Sequence, residues 1–505
     1  MTPEPTATTP VVIGGRASHT ERQSSSWDIK NAPRNYISLV AFQVGSALFS
    51  FGSVWLITRN LGSEGYGGVV AVIAASQVAQ IFVNWTSVAV VRYGVDEFID
   101  TASIARTFWI RLSILLVNLV LVLSLSGLWF PPIADWLKLS AGAFWLVVAH
   151  FCVTAFWLHI QVSLQGTKLL RFQSLLQMFE RFLIFIGILG LIVFYRVEFF
   201  WIVICYIAAP AAMAVVGLSR LRTLITSCFS FDRPFVRKLL LFSLPLLPFT
   251  LVGYFSGSYV DAVFISKFLS IRDLGVYSIA TQINGIALQM PLLANTILLP
   301  LFVTLMAESD RKRSFGYFRN ILPGLTLLWG IACAALSVVG YLMIPMVFGA
   351  EFSGASLPLW ILLTASVVSF PVAVGYSALS NAASTTWIPM TATIASAAVN
   401  IAGDLILIPK YGMAGCAWAT LFAFFTSAAV FAILLKRTAQ MPVSWTFLAI
   451  IPSVLGVLSF IFSNAWIALL VCVLSSVLIG LIRWTSMNEM LTFVLNFGRL
   501  DREPG

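Results

Sequence analysis

Fourteen apolar runs, each about 18–27 residues long, follow one another along this chain with only short loops between them. Wound as helices, runs of this length match the hydrocarbon thickness of a bilayer. The spans expected are 36–57, 67–91, 108–130, 144–165, 174–195, 199–217, 239–265, 277–306, 320–348, 355–381, 387–408, 413–435, 444–463 and 465–484. Composition agrees. Of 505 residues, 59% are hydrophobic and 10% charged, with mean hydropathy +0.94. A water-soluble core cannot hide that much apolar surface. The 40 Phe and 16 Trp suit aromatic belts at two membrane interfaces. The expected fold class is all-α integral membrane, with about 14 transmembrane helices.

The ends read differently. Residues 1–34 are rich in Ser, Thr and Pro and hold no apolar run long enough for a signal peptide, so they are expected to form a disordered cytoplasmic tail. With the N-terminus inside, 24 of the 30 Lys and Arg fall on the cytoplasmic side and 6 on the outer side. Loops retained in the cytoplasm carry such an excess, which places both termini there. The net charge of +10 then reports topology, and no nucleic-acid partner is expected.

Two loops repeat a pattern. "ITRNLGSEGYGG", Ile57 to Gly68, follows the first span, and "ISKFLSIRDLGVYS", Ile265 to Ser278, follows the seventh. Each runs from a basic residue to Leu, then on to Gly and Tyr, and each leads into a long helix speckled with polar residues. Residues 35–220 and 239–437 therefore read as two six-helix bundles in one orientation, a parallel repeat joined by a cytoplasmic linker, 221–238. Residues 438–485 add two helices outside the repeat, and 486–505 form a second cytoplasmic tail.

These loops carry a resemblance. "RNLGSEGYG" and "DAVFISKFLSIRDLGVYS" resemble the hinge segments of Wzx-type polysaccharide flippases. "NIAGDLILIPKYGMAGCAWAT", Asn400 to Thr420, is the most specific match, with Cys416 where Ala is usual. The resemblance covers roughly residues 35–435 and points to the multidrug/oligosaccharidyl-lipid/polysaccharide (MOP) exporter superfamily. It implies a MATE-like fold of two bundles around a central cavity lined by helices 1, 2, 7 and 8. It also implies a multi-pass protein of the bacterial inner membrane that flips undecaprenyl-pyrophosphate-linked oligosaccharide for cell-surface polysaccharide synthesis. The partners it implies are the lipid-linked oligosaccharide, membrane lipids and polysaccharide polymerase machinery, with no cofactor.

Periodicity tests the cavity independently. Gln43, Ser46, Ser50 and Ser53 share one face of helix 1, and Gln77, Gln80, Asn84 and Ser87 share one face of helix 2. Thr250, Tyr254, Ser258 and Asp261 line up on helix 7, and Thr281, Gln282, Asn284, Gln289 and Asn295 form a broader polar sector on helix 8. Amides facing lipid are costly, so these faces should turn toward water or toward one another. The candidate substrate contacts are Gln43, Gln77, Gln80, Asn84, Tyr254, Gln282, Asn284 and Gln289. Arg34 and Arg92 join them as a cationic mouth for a pyrophosphate. The gating or ion-coupling candidates are Arg59, Asp261, Lys267 and Asp404. Asp261 is expected to pair with a basic residue of the outer gate, Arg59 in particular. Arg111 is expected to snorkel to the cytoplasmic surface, and Asp404 to reach interfacial water.

Other readings weaken. His150 and His159 are nine residues apart, on opposite faces of one helix, and cannot share a metal. None of the six Cys forms a C-x-x-C pair, so they read as packing residues. Polymerases and ligases need a large outer loop, and here each outer loop has roughly 15 residues or fewer. A MATE-type cation-coupled exporter would need buried acids deep in the first half, and helix 1 has none.

Overall fold

The computed structural model describes residues 19–226, 232–244, 258–307, 311–383, 385, 387–442 and 444–482. Helix follows helix throughout, with no strand among the described residues. In chain order these are α1 (His19–Asn84), α2 (Ser87–Thr101), α3 (Ala105–Ser124), α4 (Ser126–Trp136), α5 (Ala143–Gly166), α6 (Leu170–Phe194) and α7 (Phe199–Leu221). Then come α8 (Arg233–Ser243), α9 (Ser258–Phe268), α10 (Ile271–Ala307), α11 (Leu322–Val347) and α12 (Ser356–Pro371). The last are α13 (Trp387–Tyr411), α14 (Met413–Thr438), α15 (Ser444–Phe462) and α16 (Ala465–Ile482).

Among the described residues, eleven stretches are long and apolar enough to cross a bilayer. One of them, Ser38–Asn84, holds the first two expected spans as a single kinked helix. The kink is at Gly62, whose φ of 66° a Cβ would strain. The seventh expected span falls largely on residues 245–257, outside the described set.

Four boundaries differ from expectation. Helix α1 begins at His19, so residues 19–34 are helical rather than a tail; no Pro or Gly interrupts 19–32. The second span stops at Asn84, not 91, because the Asn84–Ser87 cluster turns on its own hydrogen bonds, Ser87 Oγ donating to the Asn84 carbonyl at 2.7 Å. The third expected span divides at Leu125 into α3 and the Pro131–Pro132-bearing α4. The linker 221–238 gives rise to α8, capped by Asp232 through Phe235 N at 3.2 Å. Phe235 and Leu239 of α8 are buried against α2, with Phe235 and Phe242 both packed on Tyr93.

Helix contacts fall into two groups. Helices α5, α6 and α7 pack on one another and on α1, while α13 and α14 pair and pack on α12 and α9. Helices α15 and α16 pack together and against α11. The groups meet where α1 runs along α10. Two π-turns lie in the second group, Tyr317–Ile321 leading into α11 and Val372–Tyr376 following α12. They face each other: Tyr317 donates to the Val374 carbonyl at 2.8 Å, and the Phe318 and Tyr376 rings stack at 5.9 Å.

The two repeated loops meet directly. They align at a constant offset, since 275 less 67 and 271 less 63 both give 208. A Cβ on Gly67 would lie 1.9 Å from the Ile271 carbonyl oxygen, and one on Gly275 would lie 2.0 Å from that of Ser63. Each equivalent pair thus makes the mirror contact of the other. Two helix starts cross backbone on backbone, and only glycine permits that approach. Polar contacts surround the crossing. Ser63 donates from N and Oγ to Glu351 at 3.0 and 2.9 Å, and Lys138 Nζ donates to the Leu269 carbonyl.

Two tests follow from this arrangement. In a chain lacking its six native cysteines, a Cys at exposed Ser140 should react with an impermeant thiol reagent in intact cells, and one at exposed Thr226 should not. Labelling of Thr226→Cys from outside would reject the topology. Gly67→Leu or Gly275→Leu should force the crossing apart, at a cost of about 1–3 kcal/mol in thermal unfolding. A Cys at Ser50 should then label faster from outside; unchanged labelling and stability would deny the crossing any gating role.

Candidate functional site

Below the crossing lies a cavity of ≈ 900 Å³. Helix α1 contributes to it on both sides of its kink, and α5, α6, α7, α9 and α10 complete it. Gln43, Ser46, Ser50, Gln77, Gln80 and Asn84 face it from α1, as do Thr281 and Gln282 from α10. Several of these are held by one another. Tyr66 Oη donates to Gln282 Oε1 at 3.3 Å, and Gln282 Nε2 donates to Ser50 Oγ at 3.3 Å. Gln80 Nε2 donates to the Phe151 carbonyl at 2.8 Å and to Thr154 Oγ1 at 2.6 Å, and Asn84 Nδ2 donates to Gln80 Oε1. Ser76 Oγ and His150 Nδ1 are 2.5 Å apart in the same wall.

The other expected substrate contacts lie elsewhere. Asn284 is buried off the lining, with its Oδ1 unpartnered. Gln289 is exposed, because α10 outruns the cavity by several turns. Arg92 is exposed with its guanidinium 5.6 Å above the Phe242 ring, held there by the packing of α8 on α2. The Arg34 side chain and Tyr254 lie outside the described residues. Ser53 turns away, donating to the Phe49 carbonyl at 2.9 Å.

Three helices beyond the expected four line the cavity, α7 through Tyr206 and Pro210. Helix α5 brings His150, Thr154, Trp157 and Gln161; α6 brings Gln177, Glu180 and Arg181. Glu180 accepts from Trp157 Nε1 at 2.7 Å, and Gln177 Nε2 donates to Gln161 Oε1 at 3.2 Å. The spacing of these residues, i, i+4, i+7 and i+11 on α5, is the same signal read on the first two spans. Glu180 and Arg181, neighbours in the chain, both face the cavity in this wall.

The gating candidates also separate. Arg59 does not pair with Asp261. Its Nε donates to the Val347 carbonyl at 2.6 Å and its Nη2 to that of Met346. These are the last carbonyls of α11, where the helix dipole favours a cation. Lys267 Nζ sits 3.6 Å from the centroid of the Trp136 ring, a cation–π contact.

Asp261 instead points into a buried acidic pocket. Tyr277 Oη donates to its Oδ2 at 3.3 Å. Asn400 Nδ2 donates to its Oδ1 at 3.3 Å and to Asp404 Oδ2 at 3.2 Å, so one amide bridges two carboxylates. Asp404 has not reached interfacial water: it is 0% exposed and Asp261 only 5%, because α9 and α14 both cover that face of α13. Ligand atoms of Asp261, Asp404 and Cys416 all lie within 4.8 Å of one another. Cys416, expected to be a packing residue, is buried beside both acids. No basic side chain bonds either acid among the described residues. Two carboxylates this close and this dry call for a proton or a metal cation between them. Asn400, Asp404, Cys416 and Thr420 all come from the segment "NIAGDLILIPKYGMAGCAWAT", whose two halves are α13 and α14.

Comparisons with known proteins agree with this architecture. No curated protein sequence matches the chain. Among solved structures it is similar to the lipid II flippase MurJ in an inward closed conformation, with TM-score 0.65 and 15% identity over 90% of this chain and 100% of that one. It is also similar to an inward-facing multidrug resistance MATE family transporter of the MOP superfamily, with TM-score 0.59 and 13% identity over 80% of this chain and 99% of that one. A Vibrio cholerae MATE transporter in a bent form aligns with TM-score 0.51 and 13% identity over 83% of this chain and 98% of that one. The family model described as polysaccharide biosynthesis protein matches residues 32–306, more than half of the chain. This multi-pass membrane protein, with the fold of the MOP superfamily, belongs to the polysaccharide biosynthesis protein family.

Proposed function

We propose that the protein is a flippase that moves an undecaprenyl-pyrophosphate-linked oligosaccharide from the cytoplasmic to the periplasmic leaflet of a bacterial inner membrane. The observation that carries the reading is the amide-rich cavity, sealed at one end by the glycine crossing. A sugar chain leaving water needs hydrogen-bond partners for its hydroxyls throughout transit, and carboxamides both donate and accept. A volume of ≈ 900 Å³ is near the upper end of ordinary ligand sites, about 300–1,000 Å³. Family membership supports a cargo on a polysaccharide pathway. The sealed end bears the loops that charge distribution assigns to the outside, so the cavity corresponds to a state awaiting cargo from the cytoplasm. Both termini lie on that side, and a polymerase at the outer face would receive the product.

Alternating access requires the seal to open and the opposite end to close. The acidic pocket supplies a means of coupling. Asp261 is on α9, directly before the crossing, and Asp404 is on α13. Cation binding between them would draw α9 toward α13 and change the strain on the loop 265–278. The pocket suits a proton or a hard alkali cation, since the two carboxylates, the Asn400 amide and the Tyr277 hydroxyl outnumber the single soft donor, the Cys416 thiol. A cation-coupled exporter of small molecules would share this pocket. The hydroxyl-matching cavity wall favours the oligosaccharide.

Reconstituted vesicles decide between the two. Lipid-linked oligosaccharide should become accessible to a glycan-oxidising reagent on the far leaflet, and Gln77→Leu with Gln282→Leu should abolish this at normal expression. Transport of organic cations with no movement of lipid-linked sugar would replace the proposal with the exporter reading. Asp261→Asn and Asp404→Asn should each stop coupled transport, yet raise stability by on the order of 1 kcal/mol by removing one of two unpaired buried charges. A sodium gradient driving transport at constant pH identifies a metal ion, and a pH gradient alone identifies a proton. Full transport by both variants would remove the coupling role.

A further inference from the structure

Arg111 is the largest buried charge that neither the cavity nor the acidic pocket uses. It lies on α3 and is 0% exposed. It does not snorkel to a surface, because α2 and α5 pack over that end of α3. Its Nη2 donates to Asn84 Oδ1 at 3.2 Å and to Ser87 Oγ at 3.1 Å. Its Nε and Nη1 are buried with no partner. No carboxylate bonds it among the described residues. The two acids that meet this end of α3 are engaged elsewhere: Glu97 accepts from the Arg106 and Thr107 backbone amides at 2.9 and 2.8 Å, and Asp232 pairs with the Arg106 side chain.

The surroundings hold further buried polar groups without partners. Helix α2 starts at Ser87, beside the guanidinium, with no side-chain cap and no acid in its first turn. The end of α1 at Asn84 adjoins this start, so the two helix dipoles largely offset each other here, and the attraction left is that of the unused guanidinium N–H groups. The hydroxyl of the adjoining Thr86 is buried and unpartnered. His159 lies within electrostatic reach of Arg111, and both of its ring nitrogens are buried without a partner. An unpaired guanidinium in a dry interior is strongly unfavourable, and removing one partner of a buried pair costs about 3–5 kcal/mol. A guanidinium with free N–H groups beside an unpartnered hydroxyl supplies the charge-assisted donors that an anion site needs.

We infer that Arg111 holds a small inorganic anion, with chloride the fitting ligand, between α2, α3 and α5. The size limit follows from burial: Asn84 and Gln80 stand between Arg111 and the cavity, so no phosphate still attached to a lipid or a glycan reaches it. The bound anion would fix the Asn84–Ser87 turn, and through it the Gln80 and Asn84 amides of the cavity wall. The site would thereby hold part of the cavity lining in place without touching cargo.

The test uses the full-length protein and bromide as the probe. Crystals grown in bromide should show an anomalous peak within hydrogen-bonding reach of Arg111 Nε or Nη1. In detergent at constant ionic strength, chloride or bromide should raise the melting temperature over gluconate in a saturable way, by on the order of 2 °C or more. Arg111→Gln should abolish that shift, and Arg111→Lys, which keeps charge but loses the fork, should weaken it. No anomalous peak at Arg111, or a halide shift that survives in Arg111→Gln, would overturn the inference and leave a hydrated arginine. Stabilisation by inorganic phosphate but not by halide would overturn it equally.

Discussion

Everything on the cavity depends on one backbone contact. Where Gly67 meets the Ile271 carbonyl and Gly275 meets that of Ser63, two long helices touch with no side chain between them. The contact joins the groups at their loop end, and the Tyr66–Gln282–Ser50 hydrogen bonds continue the junction below it. Larger residues there would separate α1 from α10 at the loops and dissolve the seal. The contact also carries little energy of its own, since glycine buries almost no apolar area. A closure built from close approach rather than from bulk can be undone by modest forces. The hydrogen bonds of Arg59 and Ser63 to the 346–351 segment fix its position and can be exchanged for water when it opens.

Charge placement separates three tasks inside one apolar matrix. Glu180 and Arg181 face a cavity large enough for water, so each keeps part of its hydration. Asp261 and Asp404 are dry and share a donor, so their charge must be met by a proton or a cation. Arg111 is dry and fixed, with its fork half used. Ionisable groups are rare within membrane segments because each demands such an arrangement. The chain places them at three depths of water access, and their chemistry follows from that access more than from their identity.

The apolar runs were legible in the sequence because bilayer thickness dictates their length, and most helix limits fall within a few residues of the expected ones. The stripe on α1 was legible for a similar reason: Gln43, Gln77, Gln80 and Asn84 repeat at helical spacing, and a carboxamide has few tolerable places in a membrane helix. Other features were hidden by what surrounds a residue. Arg111 reads as a snorkelling side chain only if the loop after the second span is open, and α2 fills that place. Arg59 and Asp261 both belong to the hinge segments, yet the C-terminal carbonyls of α11 supply Arg59 with acceptors that no local pattern announces. Asn400 and Asp261 are 139 residues apart, and their meeting depends on how α13 turns toward α9. The pairs Asn400/Asp404 and Cys416/Thr420, each one turn apart within the most specific sequence match, were the available sign that this segment builds a site.

The facing π-turns at Tyr317–Ile321 and Val372–Tyr376 have a consequence for phase. A π-turn inserts one residue into a helix, so every side chain beyond it is rotated by about 100° relative to an uninterrupted helix. Residues on either side of Phe318 or Val374 therefore belong to different faces, whatever their spacing in the chain. Because the two turns sit opposite each other and are tied by the Tyr317–Val374 hydrogen bond, the phase slip occurs in both helices at one level. That level divides this part of the molecule into two stacked blocks whose azimuths are set separately. The stacked Phe318 and Tyr376 rings lie at that same level, so a substitution on one side of it alters a different helix face from one on the other side.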